Sequence, residues 1–393
     1  MDRMPEESGC MSKGQLKALS RAIKEARNDP RLLCDLEGSG PVASLEASFS
    51  GVSGLSHNLA VSSGTAAIYT ALAASGAGPG DEVILPAYSW RETLSPVLAC
   101  GASPVFADIS PGSLTLEPEQ VERCLSSRTR AVIFVPLFGN PSGLEKISSI
   151  TRVAGIRLII DAAHATSARL YNRYIGEFAD ITCFSLGRGK LICAGEGGMV
   201  STSDPEMYEA AVAFSQHPER MRRQNGNVEI CREPGLNFRM HPLAAVLARA
   251  AMEDAPVRLE HRRSVLDAFR CGLGQTDRLA LPAADSETAA EPYGIPLIYL
   301  APSGRRELAE ELSSKGYPLR CGPLKTPLAY CLKSALPTPD PNGTDLANMP
   351  ARSAAAVHCE KRELWALSAL DMDSVSPSWT EEYGQTIRRS LSA

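Results

Sequence analysis

Three short stretches of this sequence carry side chains suited to covalent or acid–base chemistry. Lys190 closes Phe184-Ser185-Leu186-Gly187-Arg188-Gly189-Lys190 and is followed by Ala194-Gly195-Glu196-Gly197-Gly198. A lysine amine in a glycine-rich loop suits Schiff-base chemistry where desolvation favours its neutral form, whereas a surface lysine is the ordinary alternative. Asp161 ends an apolar run and leads into Ala162-Ala163-His164-Ala165. A carboxylate there can hold a protonated ring nitrogen, or it can simply cap a turn. Ser62-Ser63-Gly64-Thr65-Ala66 is a small-residue turn opening a helix. Free N–H groups at such a start suit a phosphate, and they also suit a plain N-cap.

Each stretch follows an apolar run of strand length. Asn58–Val61, Glu82–Pro86, Pro104–Asp108, Ala131–Pro136, Arg157–Asp161, Ile181–Ser185 and Gly198–Thr202 read as strands. Helical spacing fills most of the gaps, at Thr65–Ala74, Glu92–Cys100, Glu117–Cys124 and Leu144–Val153. That alternation predicts an α/β fold with a mainly parallel seven-stranded sheet covered on both faces, whose ligands sit beyond the carboxyl ends of the strands. From Leu236 the pattern changes to a long helix over Pro242–Cys271, broken near Pro256. A strand over Ile295–Ala301, a helix over Ser303–Lys315, a turn at Pro337–Pro341, a strand over Leu364–Ala369 and a helix over Trp379–Leu391 follow. We expect an amino-terminal arm (1–40) with an amphipathic Lys13–Arg27, a large domain (41–241) and a smaller carboxyl-terminal α+β domain (242–393).

Composition narrows the function classes. The 393 residues are 44% hydrophobic and 22% charged, with 40 Lys and Arg against 45 Asp and Glu. A net charge of −5 with no basic tail removes the usual electrostatic reason to bind nucleic acid or an anionic membrane. No apolar run approaches the ~20 residues of a membrane span, and the acidic Met1–Cys10 does not read as a secretory leader, so a cytoplasmic protein is expected. The 11 cysteines form no Cys-x-x-Cys pair and read as reduced thiols; the six histidines form no metal-ligand spacing, so no metal is expected.

The segments are most informative as an ordered set. Ser-Gly-Thr-Ala from Ser63, Pro86-Ala-Tyr-Ser-Trp90, Gly101-Ala-Ser-Pro-Val-Phe-Ala-Asp108, Asp161-Ala-Ala-His164, Ser185 with Lys190, Gly-Glu-Gly-Gly from Gly195, and Gly235-Leu-Asn237-Phe-Arg239-Met240 occur in that order. Together they resemble the DegT/DnrJ/EryC1/StrS family of fold type I pyridoxal phosphate enzymes, over about Gly40 to Leu259 and more loosely beyond. The resemblance implies pyridoxal 5'-phosphate as cofactor, with Lys190 forming the internal aldimine, Asp161 pairing with the pyridine nitrogen and Trp90 stacking on the ring. It implies that Gly64, Thr65 and Ser185, with Ala66 in the same turn, hold the phosphate. Asn237 stands where the family reaches across to a partner subunit's phosphate, which implies a homodimer with shared sites. His164 replaces a family glutamine beside the phenolic oxygen and introduces a group expected to titrate near neutral pH.

Departures from the family pattern bear on the substrate. Around Lys190 the sequence is closer to the cyclitol aminotransferases and 3-amino-5-hydroxybenzoate synthases than to the nucleotide-sugar branch. Arg188 and Arg91 are candidate contacts for a substrate anion, with a solvent-facing arginine as the alternative for Arg188. Arg220, Arg222 and Arg223 are expected on a solvated face, with a grip on a diphosphate as the alternative. The family's histidine-bearing segment is matched only by Leu367-Ser-Ala-Leu-Asp-Met-Asp373, without the histidine. The expectation is an aminotransferase that takes glutamate or glutamine as donor and a keto-sugar, keto-cyclitol or related ketone as acceptor. The rivals are a dehydratase or aromatising lyase of the aminobenzoate synthase type and, less favoured, a non-catalytic regulator.

Overall fold

The computed structural model describes residues 11–224, 235–321 and 362–392; the expected turn at Pro337–Pro341 lies outside them. Strands β1 (His57–Val61), β2 (Glu82–Pro86), β3 (Ser103–Ala107), β4 (Thr129–Phe134), β5 (Arg157–Asp161), β6 (Arg169–Leu170), β7 (Arg173–Tyr174), β8 (Ile181–Ser185) and β9 (Gly198–Thr202) precede residue 203. Seven of them form one sheet in the order β1-β9-β8-β5-β4-β2-β3, with the seven strands expected from the apolar runs all present. Every neighbouring pair is parallel except those made by β9, which runs antiparallel to both β1 and β8.

Helices α1 (Lys13–Glu25), α2 (Gly40–Ser53), α3 (Gly64–Ala74), α4 (Arg91–Ala99), α5 (Pro118–Cys124), α6 (Leu144–Ala154), α7 (Pro205–Ser215), α8 (Pro218–Arg223) and α9 (Pro242–Leu273) surround this sheet. Because side chains alternate along a strand, each strand feeds two cores. Leu59, Val61, Val83, Leu85, Ile133 and Ile159 pack with Ile68 and Leu72 of α3 on one face. Ala60, Ile84, Val132, Phe134, Leu158 and Ile160 pack with Phe49 of α2, Ile147 of α6 and the alanines of α9 on the other. Burial on both faces explains why these strands read as nearly unbroken apolar runs.

Beyond α9 lie β10 (Leu279–Ala280), β11 (Thr288–Ala289), β12 (Ile295–Tyr299), β13 (Arg320–Cys321) and β14 (Glu363–Leu367), with α10 (Arg305–Ser314), α11 (Ala369–Met372) and α12 (Pro377–Ser392). Four of these strands form an antiparallel sheet ordered β10-β12-β14-β13, while β11 adds to the β6–β7 hairpin. The break expected at Pro256 is absent: α9 runs through it for 32 residues. A proline removes one helical hydrogen bond, but packing on both sides holds the rod together. Ala245, Ala248, Ala251 and Ala255 lie in the core under the seven-stranded sheet, and Val265, Phe269 and Leu273 lie in the core of the second sheet. Among the described residues no helix is long and apolar enough to cross a membrane.

The α9–α12 contact depends on glycine. A Cβ on Gly272 would collide with the Glu381 carbonyl, and one on Gly384 would stand 2.6 Å from the Leu273 nitrogen. Overpacking against backbone costs about 1–3 kcal/mol. Gly272→Ala is therefore expected to lower stability by that amount in urea unfolding, while Gly51→Ala, at an exposed position of α2 where a Cβ meets open space, should be neutral to stabilising by up to about 1 kcal/mol.

Candidate active site

Asp161 is the last residue of β5, at the carboxyl edge of the sheet, and its side chain is buried. The start of α4 and the turn ahead of it supply two hydroxyls: Ser89 Oγ and Thr93 Oγ1 lie 3.1 Å apart, and Thr93 Oγ1 donates to Asp161 Oδ2 at 2.9 Å. The Ala163 N–H donates to Asp161 Oδ1 at 3.2 Å. Burial pushes this carboxyl above its ordinary range, opposed by the Thr93 and Ala163 hydrogen bonds and by the charge of Lys190. A cation entering the cavity would stabilise the ionised form.

Lys190 lies in the connection between β8 and β9, which folds back on itself. Leu186 N–H donates to Gly197 O at 2.8 Å, Ala194 N–H to Leu186 O at 2.7 Å, and Lys190 N–H to Gly187 O at 3.2 Å. From behind, α9 grips the backbone of this loop. Arg262 Nη2 donates to Gly189 O at 3.2 Å and Arg258 Nη1 to Leu191 O at 2.8 Å. Both arginines share Asp373, which follows α11: Arg262 Nε and Nη2 reach it at 2.6 and 2.7 Å, and Arg258 Nη2 at 2.6 Å. Burial raises the Asp373 carboxyl, but hydrogen bonds from Arg262 and the charges of both arginines outweigh it and hold it below its ordinary range. Gln15 of α1 adds a further hold, donating to Cys193 O at 2.7 Å.

The start of α3 faces the same space. Ser63 caps it, its Oγ accepting from Ala66 N–H at 3.0 Å while its carbonyl accepts from Ala67. Gly64 and Thr65, the first two helical residues, line the cavity beside Ser185. Only glycine fits at 64, because a Cβ would lie 2.8 Å from the Ser185 Cβ. The N–H of Ala66 is taken by Ser63 and its side chain is buried, so Ala66 does not reach the cavity.

His164 is buried, with its ring 3.7 Å from that of Tyr293 and nearly parallel to it, at 15°. Phe138 lies behind it, 6.1 Å away, and Trp90 meets it edge-on at 6.4 Å. Phe138 holds a left-handed backbone (φ +56°), unusual for a bulky residue, and its N–H donates to His164 Nδ1 at 3.4 Å. That acceptor role leaves the ring proton on Nε2. Burial, helped by the charge of Lys190, drives the imidazole well below its ordinary range. The expectation of titration near neutral pH is thus corrected: His164 remains neutral at pH 7.

Gly64, Thr65, Trp90, Asp161, His164, Ser185 and Lys190 converge on one cavity of about 390 Å³. Arg91 and Arg188 do not. Arg91 is exposed and pairs with Glu92 at 3.0 Å, and Arg188, also exposed, lines a separate cavity with Cys193. Asn237 is exposed away from the cavity of its own chain, with Oδ1 accepting from Arg239 N–H at 3.5 Å. Arg220 departs from the expected solvated face: it is fully buried and pairs at 2.7 Å with Glu46 of α2, while Arg222 is exposed. Thr93, Tyr293 and Glu196 were not found from the sequence as cavity residues. Tyr293 in particular lies 103 positions from Lys190, with no local motif to mark it.

Comparison with known proteins places this geometry. Residues 37–321 match the DegT/DnrJ/EryC1/StrS aminotransferase family. The chain belongs to that family. An L-glutamine:2-deoxy-scyllo-inosose aminotransferase of Streptomyces kanamyceticus is 36% identical over 199 residues, 49% of this chain and 45% of that protein. The crystal structure of 3-amino-5-hydroxybenzoic acid synthase superposes with a TM-score of 0.82 at 24% identity, covering 100% of this chain and 98% of that one. NtdA from Bacillus subtilis, with bound cofactor PMP, gives 0.80 at 20% identity over 97% of this chain and 83% of that one. These likenesses establish the fold type I architecture. The chain spans between 45% and 64% of the length of the curated relatives it matches.

The buried neutral His164 carries a pH signature. Unfolding exposes an imidazole that takes up a proton as pH falls below ~6.5, so the unfolded state binds more protons and stability falls toward acid. His164→Gln removes this contribution. In urea unfolding of the cofactor-free protein between about pH 7.5 and 5, its stability should decline less steeply than the wild type, by up to about 1.4 kcal/mol per pH unit. Equal slopes would show that the imidazole takes up a proton in the fold as readily as in the unfolded chain.

Proposed function

We propose that this chain is a pyridoxal phosphate-dependent aminotransferase, with glutamate or glutamine as donor and a polyhydroxylated ketone, a keto-cyclitol or ketosugar, as acceptor. The observation that carries the reading is the convergence of Asp161, Lys190 and the Gly64–Ser185 cradle on one cavity, in a chain of this family. The residues fit the cofactor: the start of α3 and Ser185 leave a small-residue cradle for a phosphate, and a desolvated carboxylate waits for a cationic ring nitrogen. Bound there, pyridoxal phosphate supplies a carbonyl that captures amines and a ring that withdraws electrons from the adjoining carbon.

The chain's own groups supply the rest. Asp161, steadied by Thr93 and Ala163, keeps a proton on the ring nitrogen. Lys190 Nζ takes a proton from the donor's α-carbon and later returns one to the acceptor carbon. Trp90, 37% exposed, offers an aromatic face to the ring system. The cavity walls support the proposed acceptor class. With Asp161 committed to the ring nitrogen, Glu92 and Glu196 are the remaining acidic groups on the cavity wall, against a single cation, Lys190, among the described residues. Carboxylates accept hydrogen bonds from hydroxyl groups and repel phosphates, which supports a neutral polyol ring over a diphosphate-bearing one.

The reading extends to assembly and place. The exposed Asn237 is assigned to the phosphate of a second copy, which makes the active unit a homodimer with shared sites. The described cysteines are all free thiols, in keeping with a reducing cytoplasm.

The test is spectroscopic. Adding L-glutamine or L-glutamate to the purified holoenzyme should convert the visible band of the bound cofactor into the near-ultraviolet band of pyridoxamine phosphate, and Lys190→Ala should abolish the conversion. A keto-cyclitol should then restore the visible band. A protein indifferent to every donor that releases water from its substrate would instead be a dehydratase.

A further inference from the structure

Lys190 Nζ donates to the Tyr293 hydroxyl at 3.0 Å and lies 4.5 Å from the centre of the same ring. The phenol comes from a distant part of the chain, two residues ahead of β12, and its approach is built in. Glu291 N–H donates to Gly139 O at 3.1 Å, and a side chain at Gly139 would collide with the Glu291 backbone. The buried Glu291 carboxylate accepts from Ser167 N–H at 2.6 Å and from Ser167 Oγ at 3.0 Å. Next to this anchor, Tyr293 lies flat on His164, itself backed by Phe138. A ring movement that carried its hydroxyl away from Lys190 would disrupt that stack.

A lysine that acts as a base must spend part of each cycle with its amine unbonded. On a flexible four-carbon stem, that amine would sample many positions. We propose that Tyr293 is a positioning residue that holds the Lys190 amine in place while it exchanges protons with the reacting carbon. The proposal rests on Lys190 having the role assigned above. When Nζ is neutral, the phenol O–H donates to its lone pair. When Nζ carries the proton taken from carbon, it donates to the phenol oxygen, as in the present geometry. The phenol keeps its own proton in both states, so no charge or electron leaves the pair.

Tyr293→Phe keeps the ring on His164 and removes only the hydroxyl; Tyr293→Ala removes both. Cyanate labelling of Lys190 in cofactor-free protein, followed by peptide mass spectrometry across pH, reads the contact without turnover. Tyr293→Phe is expected to shift the labelling midpoint and rate at unchanged thermal stability. In the holoenzyme it should slow the glutamine half-reaction tenfold to about a hundredfold, with little change in KM and a larger isotope effect from α-deuterated donor. Wild-type labelling in Tyr293→Phe would overturn the proposal, as would full activity in Tyr293→Phe with loss only in Tyr293→Ala, which would leave the ring alone important. If wild-type enzyme converts with no donor while the labelling shift is seen, it is the aminotransferase reading that fails and not the Lys190–Tyr293 contact.

Discussion

One carboxylate fixes the catalytic end of this molecule. Asp373 pairs with two guanidinium groups, one of them fully buried, and both also donate to backbone carbonyls of the lysine loop. A buried cation is costly unless paired, and removing its partner leaves an uncompensated charge. The energetic need to satisfy Arg262 is thus the same need that holds Gly189 in place. Lys190, one residue further on, inherits the position. The segment that lacks the family's histidine is the one that supplies this aspartate, so the departure from pattern coincides with a structural duty.

The cavity in front of the loop is built on the opposite principle. There the groups are short of compensation: a carboxyl raised by burial and an imidazole kept neutral by burial and by the nearby ammonium. Such a site favours an occupant that brings its own cation to Asp161 and its own anion to the start of α3. Strong pairing behind the loop and sparse pairing ahead of it divide rigid support from receptive space.

Much of this was legible in the sequence, for a physical reason. Strands buried on both faces leave apolar runs such as Val83-Ile84-Leu85, whose carboxyl ends mark where a site is expected, while the roles of Asp161, Ser185 and Lys190 came from the ordered family resemblance. What escaped was whatever depends on partners far along the chain. Arg220 reads as part of a basic run, and only the fold reveals Glu46, 174 positions away, as its counter-charge. Tyr293, Thr93 and the Arg258–Arg262–Asp373 cluster are invisible in the same way, since no spacing records a contact between separate elements. Proline at 256 misled for the converse reason: its local cost is real, but packing along both flanks of α9 exceeds it.

That helix has a consequence for modularity. Its first half belongs to the core under the large sheet and its second half to the core of the small one. A cut at its start would strip four alanines from one core to leave the other intact, so the carboxyl-terminal third is not a portable unit. Recombination between relatives that swaps this third would have to carry α9 whole, together with the face of the large sheet it covers.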